Sequence, residues 1–158
     1  MFRKMRRFKQ KLSEAECIEL LRQEPRGVLS VIGEDGYPYG IPMDHWFDEK
    51  HGRLCFHGAA EGHKIDALRA ENRVSYCVYN SGYRNPGEWA LNIRSVIVFG
   101  RMSIVNSGER KVEICTNLCK KFTDDPTYIE RELALAGDRV CCLELEIEHM
   151  TGKAVKES

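Results

Sequence analysis

The chain has 158 residues, with 24 Lys and Arg against 24 Asp and Glu, so its formal net charge is zero at neutral pH. That length is typical of a single domain, and it allows a hydrophobic core without disulfides or metal. The balanced charge argues against a dedicated nucleic-acid-binding protein. No stretch approaches the ~20 apolar residues of a membrane span. We therefore expect residues 1–158 to form one domain with no nucleic-acid or membrane partner.

Residues 1–11, MFRKMRRFKQK, form a basic N-terminal arm. No apolar core follows it, so the arm is not typical of a secretory signal. We interpret it as a solvated leader that packs on a neighbouring element. The alternatives are a presequence and a phosphate-contacting arm, which would give steeply salt-dependent DNA binding.

The chain contains seven cysteines and no Cys-x-x-Cys motif. An odd number of scattered cysteines is a poor disulfide framework and is typical of a reducing cytoplasm. Cys115 and Cys119 are predicted to share one helix face with Val112, Leu118 and Phe122 and to pack in the core. No metal site is predicted.

The first predicted elements are a helix and a hairpin. Ser13 and Glu16 have the spacing of a capping box, and Pro25 ends the helix that they begin. Residues 27–33 are predicted to form a buried strand, and residues 37–47 the return strand after a turn that ends in glycine.

Two prolines, Pro38 and Pro42, interrupt the return strand. Each removes a donor from the hydrogen-bond ladder, so the strand is expected to be an edge, to be bulged or to face a ligand. The sequence leaves two interpretations: an edge strand that the prolines protect from aggregation, and a strand that faces a ligand.

The middle of the chain alternates strands and a helix. Residues 53–58 are predicted to form a strand, residues 63–71 a helix and residues 73–80 another strand. A loop rich in Gly, Asn and Pro follows over residues 81–92 and carries Trp89.

The last predicted elements complete the sheet. Residues 94–105 form a long strand in which Gly100 indicates a bulge or a close approach. A helix covers residues 109–122, a second runs from Asp125 to Gly137, and residues 139–149 alternate as a last strand. Six antiparallel strands would close into a small barrel, so the fold class is mainly β with flanking helices.

The stretch FHGAAEGHK, from Phe56 to Lys64, leaves a strand, crosses two glycines and enters a helix. A helix N-terminus offers unpaired N–H groups and a partial positive charge, which suit a phosphate. Lys64 adds a full charge, and Gly62 lets the backbone approach an anion. The spacing fits neither a Walker loop nor a dinucleotide-binding fingerprint.

Taken in order, GYPYGIPM, FHGAAEGHK and RSVIVFG resemble the pyridoxamine 5′-phosphate oxidase-like flavoproteins, especially the branch of the nitroimidazole reductases. The resemblance implies a split β-barrel, a six-stranded antiparallel Greek-key barrel. It also implies a homodimer that binds FMN at the subunit interface. The implied cofactor-binding residues are Ile41, Pro42, Met43, Phe56, His57, His63, Lys64, Ser95 and Val96.

The chain departs from the family pattern at two places. True oxidases carry Arg and Lys at the two positions that bind the FMN phosphate, whereas the first of these positions here is His63. Because histidine is fully charged only when protonated, phosphate affinity is expected to depend mainly on Lys64 and backbone N–H groups. Residues 149–158 also lack the Arg-x-His-type substrate segment of the oxidases, which argues against vitamin B6 oxidation.

The resemblance therefore implies a cytoplasmic FMN-dependent oxidoreductase. Its small electron-poor acceptor would be a nitroaromatic, a nitroimidazole or a quinone, and its donor NAD(P)H or another reductant. His57 is the predicted catalytic residue, as a group that hydrogen-bonds or protonates the acceptor. Trp46, Trp89 and Tyr83 are expected to wall the pocket or to lie in the dimer interface.

The main alternative is a flavin-binding carrier, sensor or storage protein without strong turnover. A split-barrel protein that binds haem or a deazaflavin is a further alternative, although no motif in the sequence selects either group.

Overall fold

The computed structural model describes residues 1–157, apart from the side chains of Ala136 and Asp138. The strands are β1 (Arg26–Ile32), β2 (Pro38–Asp44), β3 (Trp46–Asp48), β4 (Arg53–Ala59), β5 (Arg73–Tyr79), β6 (Leu91–Ile104) and β7 (Val140–Glu157). The helices are α1 (Glu14–Gln23), α2 (His63–Ala70), α3 (Gly108–Lys120) and α4 (Pro126–Ala136). Short 3-10 turns lie at Phe8–Gln10 and Gly137–Arg139.

All seven strands belong to one antiparallel sheet, in the order β2-β1-β5-β6-β7-β4-β3. The sheet curls into a half-barrel with helices at its flanks, which confirms the predicted mainly β split-barrel class. Its concave side holds one large apolar cluster that includes Leu29, Phe56, Tyr76 and Leu145. No helix in the described part of the chain is long and apolar enough to cross a membrane.

The number of strands corrects the prediction of six, because the expected return strand 37–47 divides at His45. The backbone N–H of His45 leaves the ladder and donates to Pro25 O at 3.1 Å. Before this bend β2 pairs with β1, and after it β3 pairs with β4. One extended segment therefore contributes to both ends of the curled sheet.

The last strand is also longer than the predicted 139–149. Its second half pairs with the first half of β6, from Met150 opposite Val98 to Glu157 opposite Leu91. Gly152 allows this segment to lie under α1, because a Cβ at that position would collide with Cys17 Sγ. The sequence pattern does not predict this part of the strand, because the segment is locally polar and its pairing depends on a distant strand.

The predicted irregularity at Gly100 is confirmed. The register of β6 against β7 shifts between Phe99 and Gly100. A Cβ at Gly100 would overlap the carbonyl oxygen of Glu146, so only glycine allows the two backbones to come this close.

The helix starts follow their predicted caps. Ser13 Oγ accepts from the Glu16 N–H at 3.2 Å, and the Glu16 carboxylate accepts from the Ser13 N–H at 2.8 Å. On α3, Cys115 and Leu118 are buried, Cys119 is half-buried and Val112 is exposed; the helix ends at Lys120, before the exposed Phe122. The predicted apolar face of α3 is thus narrower than expected, because only one side of the helix touches the sheet.

Candidate functional site

The connection from β4 to α2 presents free helix N–H groups. Gly62 is the N-cap residue of α2 and has φ 114°, a conformation that favours glycine. It supplies no side-chain cap, whereas Ser13, Ser107 and Asp125 cap α1, α3 and α4. The first turn of α2 therefore has no side-chain acceptor of its own and suits an external anion.

Lys64 brings a half-buried ammonium to this helix start. Its Nζ lies 3.9 Å from Met43 Sδ, and no carboxylate of the described residues lies within ion-pair distance of it. A Cβ at Gly58 would stand 2.8 Å from the same Nζ, so the absence of a side chain there makes room for the ammonium. Burial lowers the pKa of Lys64 below its usual value. A stronger acceptor than a thioether would stabilise this charge.

His63 is held by the β1–β2 hairpin. Its ring stacks on Tyr39 with a centroid separation of 4.3 Å and an interplanar angle of 18°. A Cβ at Gly33 would stand 2.9 Å from His63 Nε2, so the turn of the hairpin closes against the imidazole. These contacts fix α2 against β2 and place His63 beside Lys64.

The predicted ring-contacting residues of β2 divide between its two faces. Tyr39, Ile41 and Met43 share the face that meets α2, while Pro42 lies exposed on the other face. The prediction omitted Tyr39, although its period-2 spacing from Ile41 and Met43 was visible in the sequence. β2 is an edge strand, as one of the two interpretations of its prolines predicts.

The remaining predicted residues do not meet this group within one chain. The side chains of Phe56 and Val96 are fully buried in the core, which leaves only their backbones for a ligand. His57 is exposed on the face of β4 opposite to Gly58 and the Lys64 ammonium. Ser95 is half-buried on β6, three strands from β2 in the sheet.

The three aromatic residues of the prediction also lie apart. Trp89 is 93% exposed and Tyr83 is 59% exposed, both in the loop before β6. Trp46 packs against the apolar cluster beneath α3. Among the described contacts, none of the three joins Lys64 or its partner Met43.

A buried polar network stabilises the end of β2 from the core side of the sheet. Tyr76 Oη lies 2.8 Å from Met43 O and 2.9 Å from His45 Nδ1, so its single proton is shared between these two acceptors. His45 Nε2 donates to Leu21 O at 2.7 Å, because a carbonyl can only accept. The network thus ties Met43 to the end of α1 through two fully buried side chains. Nothing in the sequence pattern marked His45 for this role.

Lys121 completes the network and adds a charge to it. Its Nζ donates to His45 O at 2.6 Å and to Glu24 O at 2.8 Å. Burial, helped by the nearby Lys121 ammonium, lowers the pKa of His45 to about 4. Burial likewise lowers the pKa of Lys121 to about 8. His45 is therefore neutral at physiological pH, with its proton on Nε2.

A family model described as pyridoxamine 5′-phosphate oxidase matches residues 13–154 of the chain. No curated protein matches the sequence. One solved structure with a similar fold is that of a candidate 5-nitroimidazole antibiotic resistance protein from Bacteroides thetaiotaomicron, with 17% identity and a TM-score of 0.78. The aligned region covers 93% of this chain and 87% of that one.

Two further solved structures are similar. An FAD-binding protein from Mesorhizobium loti has 21% identity and a TM-score of 0.70, over 92% of this chain and 97% of its own. An FAD-binding protein from Mycobacterium smegmatis has 17% identity and a TM-score of 0.66, and the aligned region covers 94% of this chain and 99% of that one. At these identities the likeness establishes the fold.

The His45 network predicts a loss of stability in mild acid. The folded-state pKa of about 4 lies below the ordinary value of 6.5, so the unfolded chain takes up the proton first as the pH falls. The stabilisation is complete above pH 6.5 and is lost as the pH falls towards 4. We expect this residue to remove about 3 kcal/mol from the free energy of unfolding over that range, measured by urea denaturation.

The variant His45→Gln should be less stable at neutral pH but should lack most of the decline between pH 6.5 and about 5, where ordinary carboxylates stay largely ionised. His57→Gln, at an exposed position, should retain the wild-type decline. A wild-type free energy of unfolding that stays constant over this interval would contradict the assignment.

Proposed function

The chain belongs to the pyridoxamine 5′-phosphate oxidase family, and we propose that it is an FMN-dependent oxidoreductase that reduces a small electron-poor acceptor. The half-buried Lys64 ammonium beside the uncapped start of α2 carries this proposal. A buried ammonium without a carboxylate is unfavourable by itself, so the site gains most from a phosphate. FMN ends in one phosphate monoester, which matches one compact cation and one helix N-terminus.

The residues around Lys64 fit the rest of that cofactor. Ile41 offers apolar surface for a planar ring on the face of β2 that meets α2, Tyr39 extends this surface towards His63, and Met43 on the same face is buried in the core. The Tyr76–His45 network fixes the Met43 carbonyl and thereby the course of this edge strand. When bound, the flavin would supply the redox chemistry, while these side chains position it and exclude water.

Similarity to a candidate 5-nitroimidazole resistance protein supports nitroimidazoles as the acceptors to test first, and other nitroaromatics and quinones are proposed as acceptors of the same electron-poor class. The donor is proposed to be NAD(P)H or another cellular reductant. A flavin-binding protein without turnover remains the alternative outcome, and the two are separated by whether a reduced nicotinamide bleaches the bound flavin. The FAD-binding neighbours make FAD the competing cofactor.

Removal of the Lys64 charge should weaken cofactor binding selectively. We expect Lys64→Ala to raise the Kd for FMN about 10- to 100-fold, the effect of one lost hydrogen bond to a charged group. Riboflavin lacks the phosphate, so its Kd should change far less. Both constants can be measured by quenching of flavin fluorescence, and chromatography of the cofactor released from purified protein distinguishes FMN from FAD.

Lys64→Arg should retain most of the FMN affinity, and Lys50→Ala, on an exposed turn, should retain all of it. Equal losses for FMN and riboflavin in Lys64→Ala would instead indicate a general structural defect. An unchanged FMN Kd would remove Lys64 from the phosphate site.

His57 faces away from Lys64 within one chain, so it is proposed to hydrogen-bond or protonate an acceptor bound at the flavin of a second copy of the chain. We expect His57→Gln to retain FMN at wild-type affinity and to lower turnover of a nitroaromatic acceptor by about 100-fold, the lower range for general acid catalysis. Anaerobic stopped-flow absorbance can follow the donor and acceptor half-reactions separately. Unchanged acceptor turnover would assign His57 a structural role alone.

We further propose a homodimer formed through the convex side of β5 and β6. Tyr79, Ile97 and Phe99 remain 59%, 40% and 37% exposed in the middle of the sheet, where no helix among the described residues covers them. Phe2 of the N-terminal arm covers part of this face, because its ring stacks on His149 at 4.6 Å and lies tilted against the ring of Phe99 at 5.6 Å. A second copy suits this face because the charges at its edge are already balanced as Arg101–Glu148 and Arg73–Glu71 pairs.

The dimer predicts that a charge on this face separates the subunits. We expect Phe99→Glu to be a folded monomer by analytical ultracentrifugation, since two copies of the carboxylate would be buried near the two-fold axis. Val112→Glu, at an exposed position of α3, should leave the dimer intact. A monomeric wild-type protein at micromolar concentration would overturn this proposal and leave the Lys64 test unaffected.

A further inference from the structure

Two buried cysteines face each other on the side of the sheet away from Lys64. Cys115 lies on α3 and Cys142 on β7, with their sulfur atoms 3.6 Å apart. Both pack in the second apolar cluster, which α3 forms with the convex side of β4 and β7. The remaining cysteines of the chain have no such thiol contact among the described residues.

The surroundings give the two thiols different roles. The Cys142 thiol can donate its single proton to Cys115 Sγ, and Lys111 O, 3.9 Å from Cys142 Sγ, is the other acceptor within reach of that proton. The hydrogen bond from Cys142 lowers the pKa of Cys115, and the Lys111 ammonium acts in the same direction. The same contact raises the pKa of Cys142. Cys115 is 8% exposed and Cys142 is fully buried, so the thiol that ionises more readily is also the one nearer to solvent.

We propose that Cys115 and Cys142 form a reversible redox modification site, at which a hydroperoxide converts the two thiols into an intramolecular disulfide. The Cys115 thiolate attacks one oxygen of the peroxide, the O–O bond breaks, and Cys115 becomes a sulfenic acid. Cys142 then attacks that sulfur, the S–O bond breaks and the S–S bond forms. With hydrogen peroxide, two thiols lose two electrons and two protons in total, and two water molecules are released.

The other cysteines lack one or more of these features. Cys55 Sγ lies 3.6 Å from Arg110, yet burial raises its pKa to about 12. Cys119 is one turn further along α3, and burial raises its pKa as well. Cys141 faces the opposite side of β7, next to Gly58. The proposed oxidation is therefore specific to one pair.

The disulfide would join α3 to β7 and enclose α4 in a covalent loop. Because a cross-link restricts the unfolded chain, we expect oxidation to raise the melting temperature by roughly 5 °C or more. The proposal is independent of the flavin, and it can be tested on protein with or without a bound cofactor.

The experiment begins with the fully reduced full-length protein after removal of the reductant. Stoichiometric hydrogen peroxide is added, remaining thiols are alkylated, and a non-reduced digest is mapped by mass spectrometry. We expect five of the seven cysteines to be alkylated, a cross-linked peptide pair that contains Cys115 and Cys142, and full reversal by dithiothreitol. Cys119→Ser, a matched control on the same helix, should give the same cross-link.

The variants test the order of the two steps. Cys142→Ser should stop at a Cys115 sulfenic acid that dimedone traps, whereas Cys115→Ser should give neither product. If Cys115→Ser fails to fold, the wild-type map and Cys115→Ala decide the question. Seven alkylated thiols after oxidation, or cross-links that involve other cysteines, would overturn the proposal.

Discussion

The architecture depends on the backbone contact between Gly100 and Glu146, where the two longest strands bend together. The β6–β7 ladder runs from Leu91–Glu157 to Ile104–Leu143 and shifts its register at this contact. Before the bend β6 lies between β5 and the C-terminal half of β7, and beyond it β7 continues to β4. The same curl brings β2 and β4 near each other, so Met43 and Gly58 come to border one ammonium.

The two sides of the sheet carry different chemistry. The concave side is largely apolar, and the hydrogen bonds of its buried His45–Tyr76 pair satisfy groups that would otherwise be costly to bury. The convex side under α3 holds Arg110 between Asp48 and Glu144, each at 2.6 Å. Such a network stabilises a fold only when every member is paired, and Arg110 meets this condition with a third contact to Glu113.

Local sequence patterns predicted most helices and strands, but they were less successful in predicting on which face of the sheet each side chain lies. The Ser13 capping box and the Asp125–Pro126 helix start depend on neighbouring residues, and both are present as expected. The division of the return strand at His45 and the pairing of residues 150–157 depend on distant partners, so no local period reveals them. The motif around Phe56 predicts a site at β4 and α2, and the structure brings Lys64, Met43 and Gly58 together there. The motif did not show that Phe56 faces the core and that Tyr39 faces His63.

The adjacent residues Cys141 and Cys142 connect the two sides of the molecule. Neighbouring residues of a strand face opposite ways, so Cys141 lies opposite Gly58, near the Lys64 ammonium, while Cys142 faces Cys115 on α3. The sulfur atoms of Cys115 and Cys142 must approach by about 1.5 Å to form a bond of ~2.05 Å. The helix α3 and the β4–α2 connection therefore contact adjacent residues of β7, although they lie on opposite faces of one sheet.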